Sequence, residues 1–194
     1  MEVKEVRFAL RAKEEKAFPR KGETMNRFFV DAETDGLYGD FLSVAVLVTD
    51  DCGEETDRFY AAVEAPEVRS AWVRENVLPS LTNAEELVPN EQVLLERFWR
   101  FWLKHREQAV CIADVACPVE ARLFAKCVEA ELPQREFLGP FPIYDLATLL
   151  AARGIDFDTD RRRLSGLDLR QHDAMDDVRM MAAIWNRLQA TEQK

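Results

Sequence analysis

Short apolar runs separated by polar turns dominate the first half of the chain. Apolar side chains cluster over three stretches of strand length, residues 28–33, 42–49 and 58–63. Gly36 and Gly39, which are typical turn residues, lie in the first gap between them. The pattern therefore predicts a meander of three β-strands.

A helical period of about 3.6 residues replaces this pattern in the second half. It is strongest over residues 90–106, where Phe98, Trp99 and Trp102 predict an aromatic face for the core or for a subunit contact, which leaves a homodimer open. The segment 154–165 is predicted to be a polar loop. Its arginines 161–163 could meet substrate phosphates, although a charge run in a loop is usually solvated. Further strands are predicted at 109–113 and 141–144, and further helices at 119–129, 145–153 and 174–188.

Size and composition limit the class of protein. A chain of 194 residues that is 47% hydrophobic can bury one sizeable core, so we predict a single domain over residues 26–190. Residues 1–25 carry charges of both signs and predict either a disordered N-terminal extension or a stretch that precedes a translation start at Met25. No stretch reaches the roughly 18 apolar residues of a membrane span, so we expect a cytoplasmic protein with no membrane partner.

Charge and cysteine content exclude two further classes. A net charge of -10 argues against a protein that coats nucleic acid, because that mode needs many Lys and Arg side chains to neutralise phosphates. A nuclease stays compatible, since bound divalent cations can supply positive charge at the scissile phosphate. The four cysteines form no CxxC pair, which indicates neither a disulfide framework nor a structural zinc site.

Two acidic residues stand at the end of the first predicted strand. Asp31 and Glu33 are two residues apart, so their side chains share one face of the strand. Carboxylates held this closely repel each other unless a cation lies between them, and hard oxygen ligands suit Mg²⁺ or Mn²⁺. The alternative is that these acids only begin a turn before Gly36.

A histidine and an acid flank the start of the last predicted helix. Five residues separate His172 from Asp177, which would put them on different faces of a continuous helix. If Asp173 is the N-cap and Asp176 completes a capping box, His172 lies in the preceding loop and can face the same point as Asp177. His172 could then act as a general base beside a metal ligand. The alternative is a surface histidine and an acid favoured by the helix dipole.

Together, the two motifs resemble those of the DEDDh family of 3′→5′ exonucleases. The family's first motif, DxE(T/D)(T/D)G(L), is matched by Asp31-Ala32-Glu33-Thr34-Asp35-Gly36-Leu37. Its third motif, HxxxxD, is matched by His172-Asp173-Ala174-Met175-Asp176-Asp177. The resemblance covers residues 26–188 and implies a three-layer α/β domain of the ribonuclease H-like fold, with a mixed five-stranded sheet flanked by helices. The predicted order βββαβαβα fits this fold.

The second motif of the family is altered in this chain. Where the family has a His-Asn pair and then a Phe-Asp pair that opens a helix, the chain reads Ala113-Asp114-Val115-Ala116-Cys117-Pro118-Val119-Glu120. Aligning the helix starts puts Glu120 in place of the family's aspartate. Asp114, at the end of the preceding strand, is the other candidate, as a direct or water-mediated metal ligand.

The resemblance implies hydrolysis with two divalent ions, Mg²⁺ or Mn²⁺. One ion would be held by Asp31, Glu33 and Asp177, while His172 takes a proton from the attacking water. The second ion would be shared by Asp31 and the second-motif acid, Glu120 or Asp114.

The predicted activity is 3′→5′ exonucleolytic hydrolysis of single-stranded RNA or DNA to nucleoside 5′-monophosphates. Thr34 and Leu37 match positions that contact the terminal nucleotide in the family, although Leu37 also suits a core position. One alternative is a non-catalytic nucleic-acid-binding or scaffolding module that has lost a metal. Another is a metal-dependent phosphatase that acts on small phosphate esters.

Overall fold

The computed structural model describes residues 25–192, with side chains described up to residue 190, so the predicted extension over 1–25 lies almost wholly outside the described residues. Its strands are β1 (Asn26–Thr34), β2 (Phe41–Thr49), β3 (Glu55–Val63), β4 (Glu86–Val88), β5 (Ala109–Ala113) and β6 (Ile143–Asp145). Its helices are α1 (Ala71–Asn76), a 3₁₀ helix (Leu78–Asn83), α2 (Glu91–His105), α3 (Val119–Glu129), α4 (Leu132–Arg135), α5 (Leu146–Ala152), α6 (Arg161–Ser165) and α7 (Ala174–Glu192).

All six strands form one mixed sheet in the order β4-β3-β2-β1-β5-β6. The meander pairs β1 with β2 and β2 with β3 in antiparallel fashion, while β5 runs parallel to both β1 and β6. Because parallel strands end at the same edge of a sheet, the carboxyl ends of β1, β5 and β6 lie together. Residues that follow these strands are therefore brought to one place.

Helices cover both faces of the sheet. Consecutive side chains of β1 alternate between the faces, so Phe28 belongs to the core cluster beneath α2 and α3, while Phe29 belongs to the cluster beneath α5 and α7. Every residue of β2 is buried, as expected for a strand covered on both faces. Each fully buried aromatic side chain stabilises the fold by roughly 1.5–3 kcal/mol. The central position of β1 thus fixes the acids at its end.

The predicted ribonuclease H-like fold is confirmed, with differences in its short elements. The sheet has six strands instead of five, because the three-residue strand β4 is too short to show a period of two. The segment predicted to be a loop contains α6, which Asp160 caps at its start and Gly166 ends in the left-handed region with a φ of 68°. The structure also adds α1, the 3₁₀ helix and α4.

The aromatic face of α2 lies inside the chain. Phe98, Trp99 and Trp102 are all buried, and the Trp102 indole N–H donates to the Leu138 carbonyl at 2.8 Å. The interpretation of these residues as core is confirmed, and the apolar surface stripe expected for a dimer is wrong. Among the described helices, none has the length and apolar character needed to cross a membrane.

Candidate metal centre

The first motif lies where β1 leaves the sheet. Asp31 pairs with Ala45 and Glu33 with Ser43, and the register of the strand pair shifts directly after Glu33. The chain then turns sharply, since the Thr34 hydroxyl donates to the Gly36 carbonyl at 2.8 Å and Gly36 adopts a φ of 77°. Such a φ suits glycine. The two acids therefore lie on the same face of β1, at its carboxyl end and directly before the turn.

The start of α7 brings the third acid to this place. Asp173 is buried, and its carboxylate accepts from the backbone N–H groups of Met175 and Asp176 at 3.1 and 3.4 Å. The predicted N-cap is therefore confirmed. The predicted capping box is wrong, because Asp176 accepts from the backbone N–H of Arg170 instead. Asp177 follows in the first turn of α7 and lies close to Asp31 and Glu33.

His172 lies in the loop immediately before the cap. Its backbone adopts a φ of 61°, which is uncommon outside glycine, and its N–H donates to Asp177 Oδ2 at 3.0 Å. Its ring meets the Trp72 ring edge-on at a centroid distance of 4.8 Å. Partial burial lowers the pKa of His172, which keeps the imidazole neutral and able to accept a proton near neutral pH.

Three carboxylates converge in the cleft, and we call Asp31, Glu33 and Asp177 the carboxylate cluster. One oxygen of each lies within 4.8 Å of the others. Burial and repulsion by neighbouring carboxylates raise the pKa of Asp31 well above its usual value. Burial is also the main cause of the raised pKa values of Glu33, about 7, and Asp177, about 8. A divalent cation relieves this repulsion, and carboxylate oxygens are the ligands that Mg²⁺ and Mn²⁺ prefer.

The two second-motif candidates occupy different environments. Glu120 is buried, which raises the pKa of its carboxyl to about 8, while hydrogen bonds from its own backbone N–H and that of Ala32 oppose the rise. It is not among the residues that line the cleft, whereas Asp114 is. Both oxygens of Asp114 accept from Arg161, at 2.7 and 2.9 Å. Neither acid joins the carboxylate cluster.

The cleft has a volume of about 410 Å³ and combines four parts of the chain. Asp31 and Glu33 come from β1, Asp114 follows β5, residues 157–161 form one wall, and residues 171–181 form another. His172 therefore shares the cleft with the carboxylate cluster. A ligand here could meet the carboxylate cluster, one base and one guanidinium, and three further acids, Asp114, Asp158 and Asp160, belong to the lining.

The two predicted nucleotide-contact residues differ in exposure. The Thr34 side chain is 8% exposed and its hydroxyl is used within the turn. Leu37 is 61% exposed, so its interpretation as a core residue is wrong. Sequence reasoning missed Trp72, which contacts His172, and it could not distinguish Arg161 from the other arginines of its run. No sequence pattern marks either residue, since both act through contacts between distant parts of the chain.

The chain is similar to known proteins in its structure but not in its sequence. No family model and no curated protein sequence matches the chain. The zinc-bound complex of E. coli exonuclease I with single-stranded DNA has a TM-score of 0.68 at 14% identity, over 88% of this chain and 41% of that one. The complex of the same enzyme with a dA16 oligonucleotide has a TM-score of 0.60 at 13% identity, over 86% and 41% of the two chains.

A third structure matches over nearly its whole length. Exonuclease X in complex with 5′ overhanging duplex DNA has a TM-score of 0.50 at 16% identity, over 87% of this chain and 93% of that one. By contrast, the chain spans only about 41% of the length of exonuclease I. At these identities the likeness concerns the fold, and the chain therefore has the ribonuclease H-like fold of exonucleases.

Proposed function

We propose that residues 26–190 form a divalent-metal-dependent 3′→5′ exonuclease domain that acts on single-stranded nucleic acid, RNA or DNA. The observation that carries this proposal is the carboxylate cluster, whose three acids come from opposite ends of the chain and share a cleft with His172. An acidic cluster alone is a weak indication of function. Here it coincides with a fold shared with exonucleases that were solved with DNA bound.

Different side chains of the cleft would serve different steps of the hydrolysis. Asp31, Glu33 and Asp177 would hold a divalent ion, which when bound supplies Lewis-acid charge and lowers the pKa of a water molecule. His172, neutral because burial lowers its pKa, would accept the proton from the attacking water. Attack at phosphorus breaks the bond to the 3′ oxygen, so a nucleoside 5′-monophosphate leaves and the shortened strand ends in a 3′-hydroxyl.

A single-stranded substrate agrees with the exposed apolar side chains of this region. Trp72 is 52% exposed and lies in T-shaped contact with His172, so it would offer exposed aromatic surface to a base of the substrate. Leu37 is also exposed and follows the turn after Glu33, as the nucleotide-contact prediction requires. Stacking tolerates every base, which favours a substrate without sequence preference.

Degradation of end-labelled oligonucleotides tests the proposal. Single-stranded DNA and RNA with a 5′ label, incubated with Mn²⁺ or Mg²⁺, should give a ladder of shortened products with wild type and none with Asp31→Ala. Glu64→Gln, which changes an exposed acid, is the matched control and should behave as wild type. Intact strands that stay bound would support a non-catalytic module. Intact strands together with hydrolysis of a simple phosphate monoester would support a phosphatase.

A further inference from the structure

One arginine lies inside the acidic cleft. Arg161 begins α6, and its side chain is 15% exposed. Its Nε and Nη2 donate to the two oxygens of Asp114 at 2.7 and 2.9 Å, and its Nη1 donates to the Thr159 carbonyl at 2.7 Å. A guanidinium held at three of its N–H groups has little rotational freedom. It is therefore a fixed positive charge on the wall of the cleft.

The arginines next to it do not share this position. Arg162 turns to Asp160, which accepts from its Nη2 at 2.9 Å, and both side chains are largely exposed. Arg163 is also exposed. Of these three consecutive arginines, only Arg161 is among the residues that line the cleft. The charge inside the cleft thus comes from one residue of the run.

The pair that Arg161 makes with Asp114 bears on the second predicted ion. Both Asp114 oxygens face a guanidinium, so a divalent cation that approached them would meet a like charge at contact distance. The other candidate ligand, Glu120, is buried outside the lining of the cleft and accepts from the Ala32 backbone N–H. The carboxylate cluster remains open to an ion, whereas neither second-motif acid offers a free carboxylate to a second one. The remaining acids of the lining, Asp158 and Asp160, are exposed, and Asp160 pairs with Arg162.

We propose that Arg161 takes the place of the second ion, so that the cleft binds one divalent cation and one phosphate-binding guanidinium. This inference rests on the proposed function, since the ligand is the phosphate of the substrate. The remaining N–H bonds of Nη1 and Nη2 can donate to non-bridging phosphate oxygens in the bidentate manner that suits arginine. Asp114 and the Thr159 carbonyl act as positioning groups that hold the guanidinium in this orientation.

Calorimetric titration with Mn²⁺ tests the metal part without any need for turnover. Wild type should bind one ion per chain at the carboxylate cluster. Arg161→Gln removes the charge that excludes a second ion, so it should bind two, and the further change Asp114→Asn should return the number to one. Arg163→Gln, on the same short helix and exposed, is the matched control and should bind one ion.

Titration with thymidine 5′-monophosphate in the presence of Mn²⁺ tests the phosphate part. The double variant Arg161→Gln/Asp114→Asn, which lacks both the guanidinium and the second ion that would replace it, should bind the nucleotide about tenfold more weakly or worse, because a charge-assisted hydrogen bond is lost. Arg163→Gln should leave this binding unchanged. Circular dichroism of each variant establishes that it is folded before it is compared.

The outcomes separate this inference from the proposed function. Three results would each overturn the role of Arg161 and leave the exonuclease proposal standing: two ions in wild type, one ion in Arg161→Gln, or a double variant that binds the nucleotide as Arg163→Gln does. Wild type that binds no Mn²⁺ at all overturns both. One ion in wild type, two in Arg161→Gln and a selective loss of nucleotide affinity in the double variant Arg161→Gln/Asp114→Asn support the inference.

Discussion

Replacing Asp31 with asparagine should stabilise the metal-free protein while it abolishes function. Asp31 is packed against Glu33 and Asp177, with one oxygen of each within 4.8 Å of the others. Burial and the charges of these two neighbours raise the pKa of Asp31 well above its usual value, so its ionised form is disfavoured in the fold. Asparagine keeps the shape of the side chain and removes the charge.

The distances set the size of the effect. Two unit charges at 4.8 Å repel each other by about 3 kcal/mol when the effective dielectric constant is about 20. Salt and partial protonation reduce the total repulsion that Asp31 experiences from Glu33 and Asp177. We therefore expect Asp31→Asn to gain about 2–3 kcal/mol in the free energy of unfolding. For a domain of this size that gain raises Tm by roughly 4–12 °C.

The size of the gain in stability depends on pH. The carboxyls of Glu33 and Asp177 titrate at about 7 and about 8 in the folded state and at their lower, ordinary values when unfolded. Because the pKa values of these acids are raised by folding, the folded state binds more protons than the unfolded state. Their contribution to stability is therefore fully present below their ordinary pKa values and is lost as pH rises through about 7–8. The gain from Asp31→Asn should therefore be large at about pH 9 and small at about pH 4.

Thermal melting in EDTA at these two pH values, repeated with Mn²⁺, measures the prediction. In Mn²⁺ the order should reverse, because wild type gains stability from a bound ion and Asp31→Asn does not. Glu64→Gln, which changes an exposed acid, controls for the loss of one negative charge from an acidic protein. An Asp31→Asn protein that melts no higher than wild type in EDTA at about pH 9 would refute the electrostatic reasoning.

Three further predictions concern neighbouring groups. In differential scanning calorimetry the Tm of metal-free wild type should fall as pH rises from about 5 to about 9, and saturating Mn²⁺ should flatten this dependence. A flat metal-free profile would contradict the raised pKa values of Glu33 and Asp177. His172→Gln should lower kcat by about 10²–10⁴-fold with Mn²⁺ affinity unchanged in calorimetry, and an equal loss of metal affinity would argue against a general base. Asp173→Ala should cost about 1–2 kcal/mol in urea unfolding, since the N-cap of α7 is lost, and an unchanged midpoint would contradict the capping role.

The longer helices and strands were predictable because each repeats its hydrophobic period several times. The strands β1 to β3 and the helices α2, α3 and α7 were placed to within a few residues, since each shows several repeats of its hydrophobic period. The strand β4 and the helices α4 and α6 span only three to five residues, and a period cannot be read from so few positions. Short elements depend on tertiary contacts, which a single sequence does not display.

The same reasoning explains which parts of the site could be predicted. Asp31, Glu33 and Asp177 were brought together correctly, because their positions follow from where a strand ends and a helix begins. Arg161 reaches Asp114 across 47 residues, and nothing in the arginine run indicates which of its members turns inwards. The choice between Glu120 and Asp114 likewise depends on side-chain directions after β5.

The orientation of His172 depends on the irregular segment between β3 and β4. The Ser80 hydroxyl in the 3₁₀ helix donates to the His172 carbonyl at 2.7 Å, and Trp72 in α1 packs against the His172 ring. That segment is in turn attached to the first motif, because the Asp35 carboxylate accepts from the backbone N–H groups of Arg69 and Ser70, at 2.8 and 2.9 Å, directly before α1. These backbone hydrogen bonds lower the pKa of Asp35 and keep it ionised. The first motif therefore carries the proposed metal ligands at one end and, through Asp35, anchors the segment that holds the proposed base.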